Sequence, residues 1–140
     1  MLMAVPLGLA EPISLFQETP VPSPAAIFHP LPKTPRVPIL HGTASWYSES
    51  DPGINLFTAN GEVFDDSKWT CASWGFGFGT YLRVTNLENG KSVVCRVNDR
   101  GPARRLSRLI DLTKTAFRQI ADTRLGLVKV SVTPVRPDAL

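Results

Sequence analysis

Apolar and polar residues alternate along three stretches of the second half of the chain, at residues 80–87 (TYLRVTNL), 92–97 (SVVCRV) and 127–133 (LVKVSVT). A period of two places successive side chains on opposite faces of a β-strand. The pattern therefore predicts three strands, each with one apolar face. Residues 42–47 (GTASWY) are predicted to form a further short strand ahead of them.

A turn signal separates the first two of these strands. Asn89-Gly90 is typical of a two-residue hairpin loop between alternating segments. In that register Val84 lies opposite Cys95, and Leu82 lies opposite Val97. Both apolar sets then fall on one face, as a register with one buried face requires. Cys95 is therefore predicted to point into the core.

The other face of this hairpin carries two basic residues. The same register places Arg83 opposite Arg96, and like charges directly opposite one another are unfavourable. We therefore expect this face to contact water, a carboxylate or an anionic ligand. Both arginines are candidate ligand-binding residues for that reason.

One helix is indicated beyond the hairpin. Thr113 is a suitable N-cap, and the pattern predicts that the helix ends near Asp122. Its apolar stripe, at helical spacing, consists of Ala116, Phe117, Ile120 and Ala121. Many short strands with one short helix and no internal repeat favour an all-β fold, a small closed barrel that leaves no free strand edge.

The first 41 residues differ in character, since they hold nine of the thirteen prolines. Proline lacks the backbone N–H and fixes φ, so this segment cannot join a sheet interior or sustain a helix. We expect an extended, disordered spacer ahead of a folded domain at residues 42–136. Residues 1–10 (MLMAVPLGLA) resemble the end of a signal peptide, which favours export; an apolar disordered terminus is the alternative.

Charge and composition exclude several classes of function. The net charge is +3 and the basic residues are scattered, so the sequence has no nucleic-acid-binding footprint. No apolar run is long enough to span a bilayer. With two histidines and two cysteines, a four-ligand zinc site is not expected, and we expect no metal or other cofactor. Cys71 and Cys95 are either a disulfide pair or two unrelated buried thiols.

Four acids are candidates for chemistry: Glu62, Asp65, Asp99 and Asp111. Asp99 follows a strand in the segment VNDRGP, and it can also be an acceptor within its own turn. Asp111 can be an extended helix cap, and the other two can be solvated loop acids. An acid flanked by apolar residues, as Asp111 is, tends to have the raised pKa that a general acid needs. The residues alone leave the structural and functional readings open.

The order of the motifs is more specific than any one of them. GTASWYS, TANGEVFD, FGTYLRVTNLENGKSVVCRVNDRGP and RLIDLT, in that order, resemble the RlpA family of rare-lipoprotein-A-like double-psi β-barrel domains. The resemblance covers roughly residues 42–134. It implies a six-stranded double-psi β-barrel, related to those of expansins, family 45 endoglucanases and the lytic transglycosylase MltA.

The resemblance also implies an activity. Characterised bacterial members cleave peptidoglycan between N-acetylmuramic acid and N-acetylglucosamine without water, leaving a 1,6-anhydro end. The family's important acids match Glu62 and Asp65 in TANGEVFD, Asp99 in NDRGP and Asp111 in the IDL segment. We expect an exported monomer that acts on peptidoglycan glycan strands. Asp99 and Asp111 are the best acid candidates, with the other two supporting them.

Further candidate residues lie near the proposed groove. Aromatic rings stack on sugar faces, but they are also ordinary core residues. We expect Trp46, Tyr47 and Trp74 to bind substrate together with Ser73, and Phe76 and Phe78 to lie in the core. Arg100 is placed to orient Asp99, which adds it to the substrate-binding set. A Cys71–Cys95 disulfide is favoured in an exported domain.

One departure from the family concerns Ser73, which stands where many members have a histidine. This loss favours a second hypothesis, an expansin-like module that binds wall polysaccharide without cutting it. Retention of all four acids favours the enzyme. A secreted effector or inhibitor, as some barwin-like barrels are, is a third hypothesis supported only by size and the cysteine pair.

Overall fold

The computed structural model describes Gly8, Lys33 and residues 35–140, and the chain divides into two units, Met1–Pro35 and Arg36–Leu140. The signal-like segment and most of the proline-rich spacer lie outside the described residues. The second unit is described throughout.

Six strands form a closed barrel in the spatial order β1-β5-β2-β4-β3-β6. Their bounds are Leu40–Tyr47 (β1), Thr70–Ala72 (β2), Tyr81–Asn86 (β3), Ser92–Asp99 (β4), Ile110–Thr113 (β5) and Val128–Val135 (β6). β1 pairs with β5 and β2 with β4 in parallel, and the other neighbours are antiparallel. The six-stranded all-β barrel predicted from the sequence is confirmed.

The core of the barrel is built from the inward residues of every strand. The alternation of side chains along a strand explains which residues point inward: Leu82 and Val84 of β3 are buried, while Arg83 between them is exposed. The other fully buried strand residues include Ala44, Cys71, Cys95, Val97, Ile110, Leu112, Val130 and Val132. Phe117 and Ile120 close one side of this core.

The β3–β4 hairpin differs from the predicted register by two residues. Leu82 pairs with Cys95, and Arg83 lies opposite Val94. The cause is the loop, which spans the four residues 87–90 and is closed by the Asn86 N–H bonding to the Lys91 carbonyl at 2.8 Å. Gly90 adopts φ +73° in this loop, a conformation that suits glycine. A shift of two keeps every side chain on its predicted face, so the core assignment holds while the facing arginine pair does not form.

The helix α1 is shorter than predicted, since it spans Lys114–Arg118. Ile120 and Ala121 follow it in a turn whose N–H groups bond to the Phe117 carbonyl. Thr113 precedes the helix but its side chain does not cap it, because the hydroxyl donates to the Lys68 carbonyl at 2.6 Å. Short 3-10 helices occupy Arg104–Leu106, Thr123–Leu125 and Pro137–Ala139. In the described part of the chain, no helix combines the length and apolar character needed to cross a membrane.

Candidate active site

The last residue of β2 lies between two of the predicted acids. Ala72 pairs with Asp99 at the end of β4 and with Asp111 in β5. Neighbouring strands are about 4.8 Å apart, so the two acid backbones are separated by about 10 Å. The barrel topology therefore brings these two residues, which we call the barrel-mouth acids, to either side of one short strand.

Asp111 is held by two neighbours in a mostly buried setting. Its side chain is 15% exposed, and the Ser45 hydroxyl donates to Oδ1. The Arg108 Nε lies 3.4 Å from the same oxygen. Burial raises the pKa of Asp111 and the nearby Asp99 adds to this, whereas the Ser45 hydrogen bond and Arg108 lower it, with a net rise. Asp111 therefore keeps its proton to a higher pH than an ordinary aspartate.

Among residues 35–140, Asp99 uses one of its two carboxylate oxygens. Oδ1 accepts the backbone N–H groups of Ala59, at 3.0 Å, and of Arg100, at 2.8 Å. Oδ2 accepts no hydrogen bond from the residues that the structure describes. Asp99 also lines a recess of about 300 Å³, together with Ile54, Phe57 and other residues of the preceding loop. The second oxygen is thus free for a ligand.

Gly101, two residues after Asp99, allows the backbone to pass close to Ala72 and Asp111. A Cβ on Gly101 would lie 3.3 Å from the Ala72 Cβ and 3.7 Å from the Asp111 Oδ2. The Gly101–Pro102 peptide bond is cis. The segment VNDRGP therefore presents one acid at the strand exit and then passes directly beside the other.

The other two candidate acids, which we call the loop acids, lie in the turn before β2. Glu62 makes a bidentate pair with Arg96, at 2.6 and 2.9 Å, and also accepts from Asn60 and Asn98 at 2.8 and 3.2 Å. These donors, Arg96 first, lower the pKa of Glu62 to about 2. Glu62 is therefore an anion at neutral pH and ties the loop to β4.

Asp65 is placed apart from the barrel-mouth acids. Its Oδ1 accepts the hydroxyl and the backbone N–H of Ser67, and these bonds lower its pKa. It lines a second recess of about 530 Å³ with Leu56, Val63 and neighbouring residues. Phe64 lines both recesses. The structure therefore places Asp65 in a cavity that the barrel-mouth acids do not line.

Aromatic rings and cations form a rim near the VNDRGP segment. Trp74 is 49% exposed, and its indole N–H donates to the Pro102 carbonyl at 2.7 Å. The Arg104 guanidinium lies 4.8 Å from the Trp74 ring centre. Arg100 lies 3.8 Å from the centre of the Phe78 ring, which is also exposed. Trp74 and Phe78 thus present ring faces at the surface, although Phe78 was predicted to be a core residue.

The two aromatic residues of β1 point in different directions. Trp46 packs against the buried core, and its indole N–H donates to the Thr123 carbonyl at 3.0 Å. Tyr47 stacks on Phe64 with ring centroids 4.8 Å apart. Tyr47 therefore joins the loop that forms the recess, while the Trp46 ring is engaged with the core.

The remaining predicted binding residues are spread over the barrel. Ser73 is 2% exposed and bonds through its N–H to the Asp99 carbonyl at 3.2 Å. Arg100 Nη1 donates to the Ser73 carbonyl at 2.7 Å, so both support the Asp99 segment. Arg83 lies elsewhere, in a groove of about 610 Å³ on the barrel wall with Trp69 and Tyr81.

The comparisons with known proteins agree with this geometry. A family model described as lytic transglycolase matches residues 39–132. The chain belongs to the RlpA-like double-psi β-barrel family. It is 38% identical over 140 residues to the probable endolytic peptidoglycan transglycosylase RlpA of Nostoc sp., covering 96% of this chain and 36% of that protein.

Two further relatives extend this result. Identity is 44% over 96 residues with the endolytic peptidoglycan transglycosylase RlpA of Pseudomonas aeruginosa strain PAO1, covering 69% of this chain and 27% of that protein. It is 38% over 96 residues with RlpA of Neisseria meningitidis serogroup B, covering 69% of this chain and 39% of the relative. The chain thus spans well under half of these curated relatives.

Solved structures show the same fold at lower identity. The apo expansin of Clavibacter michiganensis aligns with a TM-score of 0.55 at 24% identity, over 71% of this chain and 51% of that one. The Streptomyces papain inhibitor aligns with a TM-score of 0.58 at 22% identity, over 72% of this chain and 98% of that one. Both likenesses concern the barrel fold alone.

Sequence reasoning about this RlpA-like barrel missed three parts of the site. Ser45 and Arg108 hold Asp111, and the apolar wall of the recess includes Ile54 and Phe57. Ser45 reaches Asp111 because β1 and β5 pair in parallel, which local patterns do not reveal. Arg108 lies three residues before Asp111, so its position in RLIDLT was the one available signal.

The two cysteines of the RlpA-like barrel meet in the core. Both are fully buried, and the Cys95 thiol donates to the Cys71 sulfur at 2.8 Å. Burial, followed by this contact, raises the pKa of Cys71. Within the described residues, no three His, Cys, Asp or Glu side chains are grouped as metal ligands.

Proposed function

We propose that this barrel is a lytic transglycosylase that cleaves peptidoglycan glycan strands between N-acetylmuramic acid and N-acetylglucosamine, leaving 1,6-anhydro ends. The observation that carries the proposal is the pair of barrel-mouth acids on either side of Ala72, with one carboxylate oxygen of Asp99 free. The names of the RlpA relatives support the same substrate and reaction.

Asp111 is the proton donor in this proposal. Burial raises its pKa, which favours the protonated form that a general acid requires. The proton passes to the glycosidic oxygen, so the N-acetylglucosamine side leaves with a free hydroxyl. Ser45 and Arg108 fix the carboxyl group during this step.

Asp99 stabilises the positive charge that develops at C1 and then acts as the base. The transition state of glycosidic cleavage resembles an oxocarbenium ion, which a nearby carboxylate stabilises. The muramic C6 hydroxyl attacks C1, and its proton passes to the free oxygen of Asp99. The C1–O bond to the leaving sugar breaks as the C1–O6 bond forms, so no water is consumed. Exchange with solvent then returns both acids to their starting states.

The remaining predicted residues have supporting roles. The ion pair of Glu62 with Arg96 fixes the loop that forms one wall of the recess. Asp65 holds the next turn of that loop through Ser67. Trp74, beside Arg104, offers an exposed ring to a sugar. Tyr47 supports the recess wall by stacking on Phe64, while Trp46 and Arg83 lie further from the reaction in this proposal.

The test is a digest of purified peptidoglycan, both intact and stripped of stem peptides, with products identified by mass spectrometry. We expect 1,6-anhydromuramic ends from the unmodified protein and none above background from Asp99→Asn. Asp138→Asn, an exposed aspartate in the C-terminal 3-10 helix, is the matched control and should retain activity. Reducing ends in place of anhydro ends would mean hydrolysis and would contradict the proposal.

A second candidate function is supported by one observation, the serine at the family's histidine position. Ser73 is buried, and its hydroxyl accepts the Gly75 N–H at 3.3 Å. A barrel that lacks an essential group would bind wall polysaccharide without cutting it. In the same digest, protein that sediments with the wall and releases no soluble product would support this second function.

Location and assembly complete the proposal. Peptidoglycan lies outside the cytoplasmic membrane, so we propose an exported protein with residues 42–136 as its monomeric catalytic domain. Fractionation of cells and sedimentation of the purified protein test these two points. We also propose a Cys71–Cys95 disulfide, because the two buried sulfurs are in contact. Its formation transfers two electrons and two protons to a disulfide-bearing oxidant, whose own disulfide is reduced to two thiols.

A further inference from the structure

The hydroxyl of Tyr47 is buried and has no hydrogen-bond partner among the described residues. A buried O–H without a partner has lost its bonds to water and gained nothing in exchange, which disfavours the folded state. The Tyr47 ring itself is well placed, since it stacks on Phe64 with an angle of 9° between the rings. Phenylalanine would make the same stack without the unsatisfied group.

Tyr47 lies on the acid-bearing side of β1. Successive residues of a strand alternate between faces, so Tyr47 shares its face with Ser45, which donates to Asp111. The partner in the stack, Phe64, lines the recess that also contains Asp99. The hydroxyl thus belongs to a residue that packs behind Phe64, a wall of the recess, and shares a strand face with the serine that holds Asp111.

The charges agree with this placement. After burial itself, Asp99 is the largest influence that raises the pKa of Tyr47, and Asp111 also contributes. The phenol therefore stays protonated and can act only as a neutral donor or acceptor near these acids. A neutral donor beside two carboxyl groups suits a sugar oxygen, which is uncharged and accepts hydrogen bonds.

We propose that the Tyr47 hydroxyl is a glycan-binding donor whose partner is an oxygen of a sugar bound in the recess. The inference rests on the proposed function, because it names a contact of the same site. A shift of the Phe64 ring gives the sugar access to the hydroxyl. The bound sugar oxygen then supplies the partner that the hydroxyl lacks among the described residues.

The test compares Tyr47→Phe with the unmodified protein, in thermal unfolding with and without stripped glycan strands and in the digest. The variant keeps the stacked ring, so its midpoint without glycan should be equal or higher. The rise in midpoint caused by glycan should be smaller, and kcat/KM should fall about tenfold, the loss expected for one hydrogen bond. Tyr81→Phe on the barrel wall is the control and should match the unmodified protein.

Several outcomes would overturn the inference. A lower midpoint of Tyr47→Phe without glycan would show that the hydroxyl supports the fold. A glycan-induced rise and a kcat/KM equal to those of the unmodified protein would show that it does not contact substrate. If the unmodified protein binds glycan without cutting it and the variant binds less well, the proposed reaction fails while this inference stands. If glycan does not shift the unmodified protein at all, both fail.

Discussion

Asp111 at the barrel mouth and Glu62 in the preceding loop have opposite carboxylate environments. Asp111 is mostly buried between strands, and burial outweighs its two polar neighbours, so its pKa is raised. Glu62 is 39% exposed and accepts from Arg96, Asn60 and Asn98, so its pKa is lowered to about 2. Both residues match acids of one family motif series, yet one is suited to deliver a proton and the other to remain an anion.

The position of each acid in the fold therefore determines its environment and its role. Strands of a barrel exclude water but offer few free N–H groups to a side chain, since the ladders use them. A turn offers several N–H groups and amides at once. Asp111, buried within a strand, is therefore suited to donate a proton, and Glu62, surrounded by donors of the loop and β4, is suited to remain an anion that shapes the recess.

The largest expected effect is on the barrel-mouth acids. Asp111→Asn keeps the size of the side chain but removes its proton, so we expect turnover to fall by about 10³-fold, within the range for general acid catalysis. The release of anhydro ends from stripped glycan measures it. Glycan binding should persist, because the recess wall is unchanged. If Asp111→Asn retained more than a tenth of the activity, another group would donate the proton, and the difference in role between Asp111 and Glu62 would be contradicted.

The next effect concerns the strand between the barrel-mouth acids. A Cys71–Cys95 disulfide would join β2 to β4. Because it closes a loop in the unfolded chain and lowers the entropy of that chain, a disulfide at this sequence separation adds about 3 kcal/mol to the unfolding free energy. We expect the unfolding free energy in urea to fall by about that amount when reductant is added. The double variant Cys71→Ala with Cys95→Ala should not respond to reductant. Two titratable thiols in unfolded, unreduced protein would contradict the disulfide.

Most of the barrel follows from local patterns, and the exceptions have physical causes. Alternation identified β3, β4 and β6 and the inward residues of each. The hairpin register was wrong by two because Asn89-Gly90 forms only the second half of a four-residue loop. The helix ends before Asp122 in a turn in which Ile120 and Ala121 both bond to the Phe117 carbonyl, and the Ile120 carbonyl accepts the Asn86 and Asn89 side-chain amides that the hairpin brings near.

The sequence predicts acids for the candidate site but not their surroundings. Motif order placed Asp99 and Asp111 in the candidate site before any geometry was known. Their convergence depends on β2 inserting between β4 and β5, a pairing of segments far apart in sequence. The unequal environments of Asp111 and Glu62 arise from Ser45, Arg108 and Arg96, which only the fold brings near.

A smaller effect sharpens the assignment of the proton donor. Arg108 lowers the pKa of Asp111, so Arg108→Gln should raise that pKa further. Asp99, the other charged group acting on Asp111, is unchanged in this variant. Because the donor must be protonated, the fall of kcat/KM at high pH should move to higher pH in the variant. Arg136→Gln should leave the profile in place, and an unmoved profile in Arg108→Gln would mean that Asp111 does not set it.

The smallest effect isolates the loop acids. Glu62→Gln removes the ion pair with Arg96, and since Glu62 is partly exposed we expect a loss of only about 1 kcal/mol of unfolding free energy. A folded pKa of about 2, below the usual 4.5, stabilises the fold fully above pH 4.5 and progressively less as the pH falls towards 2. The difference between Glu62→Gln and the unmodified protein should therefore be constant near neutrality and vanish at low pH. Glu88→Gln in the hairpin loop is the control.

Turnover should fall about tenfold at most, because the variant disturbs the recess wall and not the proton donor; a loss equal to that of Asp111→Asn would place Glu62 in the chemistry and remove the distinction between the two regions.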